Sequence, residues 1–222
     1  MNEPIDTSKL DPATLAKHLG NPEGEIGRAV TASLNKTNEN AYLAVLAKLG
    51  VNVGDRVIEI GFGNGREIPK VLSLAAEVSY FGIDISDTLV AAAADFNAEA
   101  VRQGRVKVAR GTSAAISADA GAFDKAFAIN TIYFWADPIV DLRELRRVLR
   151  TGGRLVLGVI APSSTVGRLH FQHGFRFYEK EQIENLLTSA NFTKVSIDTI
   201  NETVMPPNGQ PSNRDVFIVT AQ

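Results

Sequence analysis

The chain has 222 residues, 45% hydrophobic and 22% charged, with a formal net charge of -2 and no cysteine. This is ordinary globular composition, long enough for one domain with a sizeable core and a small appendage. The charge gives no electrostatic reason to expect a nucleic-acid partner. The lack of cysteine excludes disulfides, thiolate nucleophiles and Cys-ligated metals, and no window approaches the roughly 18 apolar residues of a membrane span.

The opening stretch, MNEPIDTSKLDPATLAKHLG, is polar and carries acids early. It lacks the basic start and apolar run of a signal peptide, so a cytoplasmic location is the expectation. Residues 1–49 predict three short helices, at about 12–20, 22–34 and 37–49. They form a helical appendage, expected to act as a lid, ahead of a main domain spanning 50–222. Leu34 and the stripe Tyr42, Val45, Leu46, Leu49 give this appendage apolar surface to bury. The polar NKTNEN, residues 35–40, is a joint able to reach a ligand.

From residue 56 strands and helices alternate. RVIEIG (56–61) is a short β-branched run stopped by glycine, a buried strand. REIPKVLSLAA (66–76) follows as a helix that tolerates Pro69 in its first turn. VSYFGIDI (78–85) is the second strand. Ser86 caps a helix running to Gly104. RVKVARG (105–111) and FDKAFAIN (123–130) are the third and fourth strands. Asp137-Pro138 opens a helix whose Leu142, Leu145, Val148 and Leu149 share one face, with its arginines on a solvated one. Gly152-Gly153 is expected to end that helix, and RLVLGVI (154–160) is the fifth strand. Five strands joined by helices predict a doubly wound parallel α/β sheet. After it, 178–192 reads as a helix. Residues 193–202 and 214–222 read as an antiparallel edge pair joined by the Pro/Gly/Asn segment 206–213.

The stretch VIEIGFGNG places Gly61, Gly63 and Gly65 at the carboxyl end of the first strand. In open α/β sheets ligands bind at such ends, and glycine lets ligand atoms lie against backbone. One glycine would serve a plain tight turn. Asp84, ending the second strand, is a carboxylate able to accept both hydroxyl hydrogens of a ribose. Diphosphate features are weak: the P-loop Lys-Ser/Thr pair is absent, and Arg66 stands where GxGxxG would have its third glycine. A nucleoside without phosphates fits best.

VIEIGFGNG, FGIDIS, FDKAFAINTIYFW and LRRVLRTGGRLVLGVI, in that order and spacing, resemble successive motifs of class I S-adenosylmethionine-dependent methyltransferases. The resemblance is strongest over 53–160 and toward small-molecule enzymes related to the ubiquinone and menaquinone C-methyltransferases. It implies a Rossmann-like seven-stranded sheet with the last strand antiparallel. It also implies S-adenosyl-L-methionine as cofactor, S-adenosyl-L-homocysteine as product and a small-molecule methyl acceptor. Carried over, Gly61, Gly63, Asn64 and Gly65 line the methionine and ribose, and Glu59 orients the loop beneath. Asp84 holds the ribose and Ile85 lies against the adenine. Asn130, Thr131 and Ile132 face the cofactor and its methyl. Many relatives carry an acid after the third strand. Here Gly111-Thr112-Ser113 stands instead, so Thr112 and Ser113 are the expected adenine contacts.

For a phenol or carbon acceptor a general base helps, and the candidates are His170, His173 and Tyr133. Phe134, Trp135, Phe177 and Tyr178 are candidate walls of an acceptor pocket. No residue pattern predicts a metal site, and the acceptor and oligomeric state are left open. Two other readings stay open: a catalytically inactive nucleoside-binding regulatory protein of this fold, and a nicotinamide-dependent oxidoreductase. The oxidoreductase is disfavoured by the GxGxG spacing.

Overall fold

The computed structural model describes residues 5–205 and 210–222. Among them a seven-stranded sheet runs in the order β3-β2-β1-β4-β5-β7-β6. The strands are β1 (Arg56–Ile60), β2 (Ser79–Asp84), β3 (Val106–Arg110), β4 (Phe123–Ile129), β5 (Leu149–Ile160), β6 (Ser196–Val204) and β7 (Ser212–Ala221). The first five are parallel, and β7 is inserted antiparallel between β5 and β6. The expected parallel sheet, antiparallel pair and antiparallel last strand are all present. Of the joining segment, residues 206–209 lie outside the described ones.

The strands read as continuous apolar runs because both faces are covered. Ile58, Ile60, Phe81 and Ile83 pack on one face with α7 (Pro138–Val148) and α8 (Lys180–Ser189). On the other face Val57, Tyr80 and Phe127 pack with α3 (Glu39–Leu49), α4 (Ile68–Leu72) and α5 (Asp87–Phe96). The stripe Tyr42, Val45, Leu46, Leu49 is buried there. The remaining N-terminal helices, α1 (Pro12–Gly20) and α2 (Gly24–Thr37), lie over the carboxyl edge of the sheet.

Three local expectations need correction. The helix expected over 87–104 is broken: Asn97 ends α5, and α6 (Ala98–Arg102) follows. Asn97 Nδ2 donates to Gly65 O at 3.0 Å and Ala93 O at 2.9 Å, so the side chain is used to tie the glycine loop to α5. Gly152-Gly153 does not end a helix. The helix stops at Val148, and both glycines lie inside β5 beside a register shift opposite Phe123 and Lys125, with Gly152 at φ 75°. A bulge with a left-handed glycine accounts for the pair. The helix expected over 66–76 is confined to α4, and its Pro69 sits in the first turn.

Strand order reverses between β1 and β4, which opens a crevice beyond their carboxyl ends. The ends of β1, β2 and β4 deliver Gly61, Asp84 and Asn130 to it.

Candidate functional site

All three loop glycines adopt positive φ, at 75° for Gly61, 63° for Gly63 and 72° for Gly65. A Cβ on Gly61 would lie 2.3 Å from Thr131 Cγ2, and one on Gly65 would lie 2.5 Å from Ala93 Cβ. The expectation that one glycine would serve the turn is therefore corrected. Each residue needs the left-handed region, and two are pressed against neighbouring elements. Of the loop residues expected at the cofactor, Gly61 and Gly63 border the cavity at this edge of the sheet, and Asn64 and Gly65 do not.

That cavity, about 640 Å³, lies at the carboxyl ends of the strands under α1 and α2. Glu59, Gly61, Gly63, Asp84, Ile85, Thr112, Ser113, Asn130 and Thr131 line it. Ile132 does not: it is 2% exposed in the core. Thr31, Leu34, Asn35, Asn38 and Tyr42 close the cavity from the N-terminal helices, and Trp135 and Asp141 border it beyond β4. Asn35 and Asn38 belong to the joint expected to reach a ligand and Trp135 was an expected acceptor-pocket wall, whereas Thr31, Leu34, Tyr42 and Asp141 were not expected at the cavity.

Asp84 is 7% exposed. Its Oδ1 accepts from Ser86 N at 3.0 Å and its Oδ2 from Gly63 N at 3.2 Å. Each oxygen keeps lone-pair capacity for a ligand hydroxyl. Burial outweighs these N–H bonds and raises the carboxyl to about 6. Glu59, 3% exposed, sits beneath the loop and is raised further, to about 8, by burial. Its Oε2 accepts from Tyr80 Oη at 2.7 Å and Tyr42 Oη at 3.2 Å, which offsets part of that cost. Thr131 Oγ1 is buried at the cavity and has no partner within the described protein. A buried hydroxyl without a partner is what a ligand group would satisfy.

At the other end, Ser113 Oγ donates to Asp141 of α7. The loop thus lacks its own acid but borrows one, Asp141, whose carboxyl is raised by burial. Ser113 keeps no free proton for a ligand in this arrangement.

Asn130 ends β4 at φ 57°, a left-handed conformation Asn tolerates better than most residues. Its Nδ2 donates to Asn38 Oδ1 at 3.2 Å, and its Oδ1 accepts from Tyr133 Oη at 3.0 Å. Beyond this pair lies a second cavity of about 270 Å³, sharing Leu19, Leu34, Asn38, Asn130 and Phe134 with the first.

The three expected bases fare differently. Tyr133 is corrected: it is 2% exposed, its hydroxyl donates to Asn130 and accepts from Ile160 N, and burial raises its pKa. A hydroxyl committed in both directions is a structural brace. His173 is also corrected: it is exposed and borders neither cavity. His170 borders the second cavity, and burial with Arg168 beside it lowers its pKa. Phe134 walls both cavities and Trp135 the first, whereas Phe177 and Tyr178 wall neither.

Among the described residues no helix is long and apolar enough to cross a membrane, and no cluster of His, Cys, Asp and Glu could hold a metal ion. Residues 58–157 match a methyltransferase domain family. The 27-O-demethylrifamycin SV methyltransferase of Amycolatopsis mediterranei is 30% identical over 60% of this chain and 49% of its own length. The ubiquinone/menaquinone biosynthesis C-methyltransferase UbiE of Geobacter sp. (strain M21) is 30% identical over 50% of this chain and 47% of its own. The chain thus spans about half the length of these two curated relatives. A solved S-adenosylmethionine-dependent methyltransferase of Thermotoga maritima, described as a possible histamine N-methyltransferase, shares the fold. Its TM-score is 0.61 at 23% identity, over 86% of this chain and 93% of that one.

Proposed function

We propose that this chain, whose residues 58–157 belong to the class I S-adenosylmethionine-dependent methyltransferases, methylates a small molecule in the second cavity. The observation that carries the reading is Asp84. It is a buried carboxylate with spare lone pairs beside the Gly63 N–H, in a cavity that no Lys, Arg or His among the described residues borders, so it lacks the basic groups of a diphosphate site.

The residues present fit the cofactor. Asp84 would accept the ribose hydroxyls. Glu59 supports the loop from below through its two tyrosines, and Thr131 Oγ1 has an unmet bond for a polar group. Thr112, Ala114 and Asp141 border the adenine end, where Asp141 would accept from an exocyclic amine. The cofactor supplies an activated methyl, so the protein's task is to align an acceptor in line with it and to exclude water.

Asn130 stands on the wall between the cavities, braced by Asn38 and Tyr133. There it orients the two reacting parties toward each other. The helices α1 and α2 act as a lid that keeps water out. They are tied down where the Ser86 hydroxyl donates to Pro22 O and Gly24 N donates to Thr88 Oγ1 at 3.2 Å. As a division of labour, α3 is a sheet cover and residues ahead of it are the lid.

Calorimetry with S-adenosylhomocysteine and with NADH tests the reading. The former should bind and raise the melting temperature, by the equivalent of roughly 2.7 kcal/mol at a hundredfold excess over Kd. Binding of NADH alone would overturn it.

A further inference from the structure

The second cavity differs from the first in its charge: among the described residues no Lys, Arg or His borders the first, whereas two arginines open onto the second. Its wall is mixed, with the apolar and aromatic Leu15, Ile160, Phe134, Phe171 and Phe175 beside hydroxyl residues such as Ser33 and Thr37. Arg214 is 3% exposed and already compensated: Nε donates to Glu202 Oε1 at 2.6 Å, and Nη2 donates to Thr37 O at 2.8 Å and Asn38 Oδ1 at 3.1 Å. Arg168 is not compensated. Among the described residues it donates to Ser212 Oγ at 2.7 Å, lies 5.8 Å over the Phe171 ring, and has no carboxylate within ion-pair distance. His170 beside it is held toward its neutral form by burial and by Arg168 itself, so it adds no second positive charge there. Among the described residues the pocket therefore presents one partly desolvated cation without a carboxylate partner, further disfavoured by the charge of Arg214.

We infer that the second cavity binds a small aromatic carboxylate as methyl acceptor, its anionic group paired with Arg168 and its ring lying among Phe134, Phe171 and Phe175. The acceptor role rests on the methyltransferase reading of the first cavity. An unpaired, desolvated guanidinium is costly until an anion arrives, and its planar fork matches a carboxylate in two-point contact. Aromatic walls suit a flat body. At about 270 Å³ the cavity falls below the roughly 300–1,000 Å³ of sites for drug-sized ligands, so the occupant is small. The cavity that Arg168 borders also has Asn38 and Asn130 in its wall, residues it shares with the first cavity.

The test is titration calorimetry of the full chain with the three hydroxybenzoates and the matching hydroxybenzamides, with and without S-adenosylhomocysteine. At least one carboxylate should bind about tenfold tighter than its amide. Arg168→Gln should abolish that difference while leaving amide and S-adenosylhomocysteine affinities within about threefold, and Arg168→Lys should keep part of it. The proposal is overturned if the amides bind as well as the acids or if neither series binds. It is equally overturned if Arg168→Gln weakens both series alike, or if the carboxylate competes with S-adenosylhomocysteine. Failure of S-adenosylhomocysteine to bind, with the acid–amide difference intact, would instead sink the methyltransferase reading and with it the acceptor role.

Discussion

Asn38 Oδ1 receives two hydrogen bonds, from Asn130 Nδ2 at 3.2 Å and from Arg214 Nη2 at 3.1 Å. One side chain at the joint between α2 and α3 thus couples the end of β4 to Arg214, one of the two arginines that border the second cavity. Since Asn38 serves here as an acceptor, aspartate can replace it and alanine cannot. Asn38→Ala should lower kcat about tenfold, with S-adenosylhomocysteine affinity within about threefold, and Asn38→Asp should recover most of the loss. Equal kcat in the alanine variant and the parent would remove Asn38 from acceptor alignment.

Asp84 links cofactor affinity to pH. In the free protein its carboxyl is raised to about 6 by burial, while ribose hydroxyls would favour the charged form. Above that pH the carboxylate is present and affinity is full. Below it, binding must first expel a proton, so affinity should fall by up to about tenfold per pH unit. Asp84→Asn should bind about ten- to a hundredfold more weakly at neutral pH and lose the acid limb. Calorimetry showing the same pH profile in parent and variant would assign the titration elsewhere.

Glu59 should make the free protein less stable in alkali. Its folded-state pKa, about 8, lies above the ordinary 4.5, so the folded state holds the proton more tightly. Stability is then full below the unfolded value and is lost as pH rises through the window between the two. The slope is on the order of 1 kcal/mol per pH unit. Glu59→Gln removes the ionisation and keeps an acceptor for Tyr42 and Tyr80. The difference between urea midpoints near pH 5 and near pH 9 should shrink in the variant, the remainder being that of Asp84, and parallel curves for the two proteins would contradict this.

Gly61 is limited by its backbone and by Thr131. Gly61→Ala should cost at least about 1–2 kcal/mol for a left-handed alanine, plus the overlap with Thr131 Cγ2 at 2.3 Å. Thr131→Ser removes that methyl, so the double variant should regain the overlap cost but not the backbone cost. A double-mutant cycle in chemical denaturation measures the coupling, and strict additivity would show that the methyl is not the obstacle.

Removal of residues 1–36 separates lid from sheet cover. It deletes α1 and nearly all of α2 but spares α3, whose Tyr42, Val45, Leu46 and Leu49 remain on the sheet. The truncated chain should unfold cooperatively, retain some S-adenosylhomocysteine binding and lose most turnover. Full turnover would refute the lid, and global unfolding would assign these helices a packing role.

The sequence alone determined what local pattern controls. Short β-branched runs bounded by glycine, caps such as Ser86 and Asp137, and alternating periodicity specify the parallel sheet and its carboxyl edge. Gly61, Gly63 and Asp84 could be placed on that edge because the end of a strand is a local property. Tertiary structure decided the rest, because the remaining groups meet only after distant segments pack. Asn38 reaches Asn130 across 92 residues and Arg214 across 176, and Asp141 reaches Ser113 across 28. No periodicity marks such pairs: a polar residue in a joint or on a strand reads the same whether it faces solvent or a cavity. The same limit explains Tyr133 and Asn97. Each carries a polar group whose use depends on which neighbour's unpaired N–H or carbonyl is brought within reach, and burial, by making an unpaired group costly, settles that choice only in the folded chain.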